Sequence, residues 1–493
     1  MTDGLVQQVR PLLDDAITLY GGDPVGAELE TARKRLDEPL RVAIAGKVKA
    51  GKSTLLNALV GEELAPTDAG ECTKIVTWYH DGLTYRVTLY PLSGEPAQVQ
   101  FTRDAGAIDV DLGGRGVGEV ERLDVEWPAA SLRDMTLIDT PGLGSLTTEV
   151  SARTTAFLTP DDERPGQADA VLYLMKHLHS EDVDFLESFH DDVGQASPVN
   201  AIAVLSRADE VAVGRLDAME SAARIAHRYE TDPKVRRLCQ AVVPVAGLIA
   251  QSGETLTEDE FRALQRLAAA PPADADRLML TADRFLHAET VVELTPLERE
   301  HLADRFGLFG VRLAVDLLRN GTVKDSPGLA RALVERSGIA QLRNILRDQF
   351  GSRRDLLKAR SALLAVEAAA RAKPKPGSEK LDAEVERVLS SAHELAELRL
   401  LQAMRAGVVQ FRDDDETTAA ERLLTGATPA ERVGLAPDAA PDAVRSALAD
   451  AVARWQRRAE SPMTSHEVAD AARILVRSGE GMLMTLVQPP AAS

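Results

Sequence analysis

The sequence predicts an α/β domain with a mostly parallel sheet and inserted strands, joined to an extended all-helical bundle. Three observations support this fold class. Short, almost fully apolar runs separated by helical segments recur between residues 41 and 247, as strands buried on both faces require. From about residue 255 onward, the apolar residues follow a helical period instead. Aromatic residues make up only 4% of the chain while alanine and leucine abound, which is typical of helices packed on helices.

We predict three regions, because 493 residues exceed what a single hydrophobic core accommodates. Residues 1–38 form helices that join the bundle, and the sequence GGDP at 21–24 marks a turn between two of them. Residues 39–350 form the α/β domain, with a helical insertion around 255–335. Residues 351–493 form the rest of the bundle.

The strands of the sheet are predicted from apolar runs. These runs are RVAIAG at 41–46, MTLIDTPG at 135–142, ADAVLYLMK at 168–176, NAIAVLSRADE at 200–210 and QAVVPVAG at 240–247. Two alternating segments, TYRVTLY at 84–90 and RLDVEWP at 122–128, lie between the first two runs. We predict that these segments add antiparallel strands at one edge of the sheet.

The bundle is predicted from apolar stripes at spacings of three and four residues. Residues 337–350 carry such a stripe, which continues to a Pro-Lys-Pro-Gly break at 374–377. A long helix follows the break, and further stripes begin near Val444 and Val468. This pattern is typical of a helix bundle.

Composition argues against several classes of protein. The formal net charge of −20 disfavours nucleic-acid binding, because neutralising phosphates needs a basic surface. The two cysteines are too few for a disulfide framework or a four-ligand metal site, and they suit a reducing cytosol. No apolar run is long enough to span a membrane, so we expect a soluble protein or one that lies on a membrane surface.

The stretch GKVKAGKST at 46–54, here called the phosphate loop, has the spacing of a phosphate-binding turn between a strand and a helix. Its backbone amides and the helix N-terminus favour a bound anion. Lys52 places a positive charge on the outer phosphates, and the Ser53 hydroxyl is a ligand for Mg²⁺. The predicted phosphate site comprises Gly46, Lys49, Ala50, Gly51, Lys52, Ser53 and Thr54.

Two further motifs follow the phosphate loop. In LIDTPG, Asp139 ends an apolar strand, where it reaches Mg²⁺ through water, and the Gly142 amide contacts a γ-phosphate. In VLSRADE, Asp209 follows a buried strand, where a carboxylate accepts both the ring N–H and the exocyclic amine of guanine. Adenine lacks this pattern, so the motif predicts a guanine nucleotide. Arg207 stands where lysine is usual, and its stem and planar head can stack over the base.

Two assignments rest on weaker signals. Thr73 in ECTKIVTW is predicted to be a switch threonine that brings its hydroxyl and carbonyl to Mg²⁺, with two neighbouring threonines as alternatives. In PVAG at 244–247, the backbone amide of Ala246 or of Gly247 is predicted to contact the guanine oxygen. The predicted ligands are therefore GTP or GDP with Mg²⁺, and the predicted metal ligands are Ser53, Thr73 and Asp139.

The sequence resembles the bacterial dynamin-like GTPases in four motifs and in the helical regions on both sides of them. In chain order, the motifs are GKVKAGKST, CTKIVTW, DTPGL and SRADE. The phrases APTDAGECTKIVTW and RFGLFGVRL are similar to the isoniazid-inducible dynamin-like proteins of mycobacteria and related actinobacteria. The resemblance implies a cytoplasmic P-loop GTPase, peripheral to the inner face of the cell membrane, that couples GTP hydrolysis to movement of its helical bundle. It implies a homodimer through GTPase domains or a pair with a related dynamin-like protein, and no nucleic-acid partner.

Carried over by position, the resemblance gives catalytic roles to Lys52, Ser53 and Thr73. The phosphate loop departs from the usual dynamin loop, which has glutamine and serine where Val48 and Lys49 stand. Valine can neither orient water nor supply a counter-charge. Lys49 can supply a positive charge, so it is a further catalytic candidate, and a solvated lysine at the loop edge is the alternative. We therefore expect slow hydrolysis or hydrolysis that needs a partner's residues.

Three functions stay open at this point. The first is a GTPase that binds or remodels the membrane, and the second is a weakly hydrolysing GTP-binding scaffold or regulatory partner of a related GTPase, which Val48 favours. The third is an RNA-associated GTPase, against which the acidic charge weighs. Candidate lipid contacts are the basic residues between 353 and 375 and the apolar residues Val408, Val409 and Phe411, with a solvated helix face and bundle packing as alternatives.

Overall fold

The computed structural model describes residues 3–66, 75–104, 107–142, 168–177, 182–183, 186, 201–347, 354–405 and 407–487. Strands and helices are numbered along these residues. The strands are β1 Leu40–Gly46, β2 Val76–Asp81, β3 Arg86–Pro91, β4 Ala97–Val99, β5 Phe101–Asp104, β6 Ala107–Val110, β7 Val120–Trp127, β8 Met135–Asp139, β9 Ala170–Met175, β10 Ala201–Ser206 and β11 Val242–Val245.

The helices fall into three groups along the chain. Those before and within the sheet region are α1 Asp3–Tyr20, α2 Pro24–Arg35, α3 Lys52–Val60, α4 Ala218–Thr231, α5 Pro233–Leu238 and α6 Gly247–Glu254. Those that follow the last strand are α7 Glu258–Ala269, α8 Pro272–Leu278, α9 Ala282–His287, α10 Pro296–Arg319, α11 Ser326–Arg336 and α12 Ile339–Ile345. The remaining helices are α13 Arg354–Ala372, α14 Ser378–Ser391, α15 His393–Arg405, α16 Asp414–Thr425, α17 Pro429–Arg432, α18 Pro441–Glu460 and α19 His466–Val487.

Nine of the described strands form one sheet in the order β11-β10-β9-β1-β8-β2-β7-β3-β4. The first five run parallel to one another. The other four are the inserted strands, and they begin with β2 antiparallel to β8. This arrangement confirms the predicted fold class. One detail differs, because β2 and β7 pair in parallel, while β3 pairs antiparallel with both β7 and β4.

Strand β1 is buried on both faces of the sheet and ends at the edge that carries the predicted nucleotide site. Val42 and Ile44 pack in a core on one face, whereas Ala43 and Ala45 pack in a second core on the other face. Burial on both faces explains the continuous apolar runs. The carboxyl ends of the parallel strands β1, β8, β10 and β11 meet at one edge, and these ends lead into the phosphate loop, the DTPG turn, the SRADE motif and the PVAG motif. Ligands of open α/β sheets bind at this edge.

A separate hydrophobic core lies in helices α7 to α11, which are here called the helical insertion. Phe261, Leu264, Phe285, Phe306 and Leu329 are among its buried residues. Ala246 and Ile249, which directly follow β11, belong to the same core. The insertion is therefore packed against the segment that leaves the last strand of the sheet.

The bundle has its own core, and this core combines both ends of the chain. Leu13 and Leu29 of the first two helices share it with Leu363, Leu401 and Leu475. This sharing supports the predicted regions 1–38, 39–350 and 351–493, which stay a prediction. Among the described helices, none combines the length and the apolar character that crossing a membrane requires.

Candidate functional site

The phosphate loop has a backbone that only certain residues permit. Gly46 has φ 148°, and a Cβ there would lie 2.6 Å from the carbonyl oxygen of Leu174 on β9. Gly51 has φ 92° and is the N-cap of α3. Glycine is favoured at both positions, because L side chains are disfavoured at such φ values. The two glycines thus let the loop turn directly from the strand into the helix.

The Lys52 side chain folds back onto the phosphate loop. Its Nζ donates to the carbonyl oxygens of Gly46 and Lys47, each at 3.3 Å. Burial lowers the pKa of Lys52, and the nearby charge of Asp139 partly opposes this shift. The ammonium group is therefore held at the mouth of the phosphate loop by backbone oxygens rather than by a carboxylate. A phosphate that arrived there would meet a charge that is already positioned.

Ser53 and Asp139 come together at the sheet edge, as the motifs predict. The Ser53 hydroxyl donates to Asp139 Oδ2 at 3.1 Å. Burial raises the pKa of Asp139 to about 6, although Lys52 and the Ser53 hydroxyl act in the opposite direction. The other carboxylate oxygen, Oδ1, is buried and has no hydrogen-bond partner among the described residues.

This pair of residues fits Mg²⁺. Mg²⁺ prefers oxygen ligands and is often held by one or two carboxylates together with substrate phosphates. The unpartnered Oδ1 of Asp139 and the Ser53 hydroxyl supply such oxygens. Among the described residues there is no cluster of three or more His, Cys, Asp or Glu side chains that could hold a metal without a nucleotide.

Gly142 in the second motif lies against the phosphate loop at Val48. A Cβ at Gly142 would lie 2.6 Å from Val48 Cγ2 and 2.8 Å from Val48 Cα. Thr140, two residues earlier, donates its hydroxyl to the Ile44 carbonyl at 2.8 Å, which fixes the turn to β1. The DTPG turn therefore approaches the phosphate loop so closely that only glycine fits at position 142.

A cavity of about 160 Å³ lies between the phosphate loop and the segment that follows β10. Residues 207–214, here called the base loop, form a turn of 3-10 helix after Arg207. The cavity, here called the base cavity, is lined by residues from both loops and from the start of α6: Ala50, Gly51, Thr54, Leu55, Leu174, Val204, Ser206, Arg207, Asp209, Glu210, Val245, Gly247 and Leu248. Burial raises the pKa of Asp209. The predicted base-reading carboxylate and the predicted phosphate loop thus face one cavity.

Arg207 connects the two loops directly. Its Nη2 donates to the carbonyl oxygen of Lys49 at 3.0 Å, and its Nη1 donates to Glu210 at 2.7 Å. Lys49 has φ 62° and Arg207 has φ 52°, both unusual for residues other than glycine. The Lys49 side chain is exposed, and its predicted catalytic role stays a prediction. Its carbonyl has a role that the sequence did not predict.

The predicted contact of the Ala246 or the Gly247 amide with the guanine oxygen stays a prediction, and the geometry favours Gly247. The Ala246 amide already donates to the Ser337 carbonyl at 2.8 Å, so it has no hydrogen to offer a base. Gly247 lines the base cavity and begins α6, whose first amides have no acceptor within the helix. Thr73 lies outside the described residues, so its predicted role cannot be placed in this geometry.

Comparison with known proteins identifies the family. The sequence profile described as the Dynamin family matches residues 42–83, which include the phosphate loop. The isoniazid-induced protein IniC of Mycobacterium tuberculosis is 40% identical over 486 residues, which cover 97% of this chain and 98% of that protein. The chain belongs to the IniC family of dynamin-like proteins.

Two further comparisons are weaker. A bacterial dynamin-like protein of Nostoc punctiforme is 30% identical over 128 residues, which cover 24% of this chain and 18% of that protein. A solved structure of an oligomerised bacterial dynamin pair, described in terms of sensing and tethering of membranes, aligns with 98% of this chain and 74% of its own. That alignment has a TM-score of 0.33 and 11% sequence identity.

In both candidate lipid-contact regions of this IniC-family chain, some residues are engaged within the chain and others are exposed. Lys358 is buried and donates to the Leu36 carbonyl at 3.1 Å, while Lys373 and Lys375 both pair with Asp23. Among the apolar candidates, Val409 and Phe411 are buried, and Val408 is 69% exposed. These contacts are consistent with the two alternatives, a solvated helix face and packing within the bundle, and lipid contact stays a prediction.

Proposed function

We propose that this chain binds GTP with Mg²⁺, hydrolyses it, and couples hydrolysis to movement of the helical bundle at the inner face of the cell membrane. The observation that carries the proposal is the single cavity lined both by the phosphate loop and by Asp209. We infer that the Asp209 carboxylate recognises the edge of a guanine whose phosphates lie on the phosphate loop.

Each motif has a distinct part in this proposal. Lys52 and the amides of the phosphate loop bind the β- and γ-phosphates, because both present positive charge to them. Asp209 accepts from the guanine N–H groups, and Gly247 is the remaining candidate donor to the guanine oxygen. Gly142 lies against Val48 of the phosphate loop, which supports the proposal that its amide contacts the γ-phosphate.

Ser53 and Asp139 would hold Mg²⁺, and Thr73 is the predicted third ligand. When bound, Mg²⁺ would supply positive charge against the negative charge that develops on the phosphates. The protein's own contribution is to keep Ser53 and Asp139 within hydrogen-bond distance of each other before the nucleotide arrives. The catalytic charge proposed for Lys49 would act from the exposed edge of the phosphate loop.

Coupling to the bundle is supported by an ion pair between the two parts and by a buried lysine at the point where the chain passes from the bundle into the sheet. Arg236 of α5 pairs with Glu421 of α16 at 2.7 Å. Lys358 of α13 donates to carbonyls at the end of α2, directly before β1 begins at Leu40. A change in the nucleotide domain would be transmitted along these contacts. By analogy with the family, the proposal also includes membrane contact and pairing with a second copy or with a related dynamin-like protein.

A second candidate function is a GTP-binding scaffold that hydrolyses poorly and regulates a related dynamin-like protein. Val48 favours it, because this apolar side chain stands against Gly142 at the position where the usual loop has a polar group. Such a protein would bind GTP and GDP with the same residues and lack only the groups that orient water.

Steady-state GTP turnover separates the two functions. The purified full chain is assayed over a range of protein concentrations, with and without vesicles that contain anionic lipid. The GTPase proposal expects turnover that rises faster than linearly with protein concentration, because pairing promotes hydrolysis. Turnover at background with GTP still bound favours the scaffold, and absence of GTP binding contradicts both.

A further inference from the structure

The helical insertion is hydrogen-bonded to the base loop. Arg312 of α10 donates from Nη1 to the Gly214 carbonyl, the last residue of the base loop, at 2.7 Å. Its Nε and Nη2 donate to the Met279 carbonyl at 2.9 and 2.6 Å, and Nη2 also donates to the Leu280 carbonyl at 2.9 Å. One guanidinium therefore joins the end of the base loop to the end of α8.

These bonds make a rigid link because of the chemistry of arginine. The guanidinium is planar and presents its N–H donors in a fixed fork, so bonds to two segments at once fix their relative position. All four of these bonds go to backbone carbonyls, which do not depend on the rotamer of another side chain. The base loop needs such support, because it begins with Arg207 in a left-handed conformation and ends with Gly214 at φ 66°.

The insertion also reaches the base cavity itself. Helix α10 is broken at Gly307, which has φ 62° and ψ 170°. A Cβ at Gly307 would lie 3.4 Å from Leu248 Cδ2 and 4.0 Å from Asp209 Oδ2. Leu248 and Asp209 both line the base cavity. The break in α10 thus brings the insertion's backbone against the wall that carries the base-reading carboxylate.

We propose that Arg312 is a positioning residue for base recognition and that, through Gly214, it holds Asp209 where a guanine edge is read. The helical insertion is then a specificity element of the nucleotide site. This inference rests on the proposed function, because it assumes that Asp209 reads guanine. It concerns the chain's own residues and does not involve the metal.

The test compares GDP with IDP, whose base lacks the exocyclic amine of guanine. Asp209 accepts from that amine, so the ratio of the two dissociation constants reports the placement of its carboxylate. We expect wild-type protein to bind GDP about tenfold more tightly than IDP, which corresponds to one charge-assisted hydrogen bond. Arg312→Met removes the link to Gly214, and we expect the ratio to fall at least about threefold.

Arg319→Met is the matched control. Arg319 lies on the same helix and donates to the Ala268 carbonyl at 3.2 Å and to Asp276 at 2.7 Å, both within the insertion. Its removal should destabilise the insertion and leave the GDP to IDP ratio unchanged. A general loss of stability would weaken both nucleotides in proportion, so the ratio distinguishes positioning from folding.

A second variant keeps the test decisive if Arg312→Met fails to fold. Arg312→Lys retains the charge but cannot reach Gly214 and α8 together, so we expect an intermediate ratio and faster amide hydrogen exchange in residues 208–214. An unchanged ratio in folded Arg312 variants overturns this inference. Failure of wild-type protein to prefer GDP over ADP overturns the proposed function instead, and with it the premise of the inference.

Discussion

The phosphate end and the base end of the nucleotide site are built differently. At the phosphate end, Lys52 is held by the carbonyls of Gly46 and Lys47, all within one nine-residue motif. At the base end, Asp209 stands on a loop whose far end is held by Arg312, on a helix of the insertion. The first end is a local structure, whereas the second depends on packing between distant segments. Local structure is specified by a short motif, and distant support is not.

The largest expected effect lies at the phosphate end. Lys52→Ala removes a buried positive charge from the mouth of the loop, and we expect GTP and GDP affinity to fall at least about hundredfold. Lys49→Ala is the matched control, because it removes an exposed charge from the same loop, and its GDP affinity should stay within about threefold of wild type. Calorimetric titration measures both. Equal losses in the two variants would contradict the role of Lys52.

The next effect tests the base end. Asp209→Asn replaces an acceptor with a group that also donates, and we expect the preference for GDP over XDP to fall at least about tenfold. Competition binding with the two diphosphates gives the ratio. Glu210→Gln is the control, because its carboxylate pairs with Lys176 and Arg207 and should leave the preference intact. If the Glu210 variant alone changes the preference, the wrong carboxylate has been assigned.

A third prediction separates binding from hydrolysis at the phosphate end. Gly142→Ala forces a Cβ into Val48, so the DTPG turn must shift, and we expect GTP turnover to fall about tenfold or more. GDP affinity should change little, because GDP lacks the phosphate that this turn contacts. Gly118→Ala, where an added Cβ meets no atom within 4 Å, serves as the control for the substitution itself. Wild-type turnover in the Gly142 variant would show that the turn does not take part.

The smallest expected effect concerns the contact that joins the two ends. Arg207→Lys keeps the charge but removes the guanidinium that donates to the Lys49 carbonyl and to Glu210 at the same time. We therefore expect GDP affinity to fall about threefold. Arg215→Lys, on a side chain that is largely exposed, is the control. An effect as large as that of Lys52→Ala would mean that the two ends are not separable.

The sequence predicted the features that local patterns determine. The apolar runs gave the parallel strands, and the motif spacing placed Ser53, Asp139 and Asp209 at one edge of the sheet. The sequence did not predict long-range pairing. The Ala246 amide is taken by Ser337, and Lys358 is buried against carbonyls near residue 38, partners that lie far away in the chain. No periodicity or motif in a single sequence encodes which distant carbonyl a donor will reach.

The hydrogen bonds from Arg312 to the base loop and α8 are another long-range feature that the sequence did not predict. The stretch RFGLFGVRL resembles the family, yet its spacing does not indicate that Gly307 breaks the helix or that Arg312 binds the base loop. A glycine with positive φ inside a long helix is visible only in the structure, because its sequence context is otherwise helical. The base end of the site therefore contains more than its motif.

The central claim is that one cavity selects a guanine nucleotide. It is tested most directly by calorimetric titration of the wild-type full chain with GDP and with ADP, in the presence of Mg²⁺. A buried carboxylate that accepts from two guanine N–H groups predicts that GDP binds at least about hundredfold more tightly than ADP. Equal affinities for GDP and ADP would contradict the assignment of Asp209 and, with it, the proposed function.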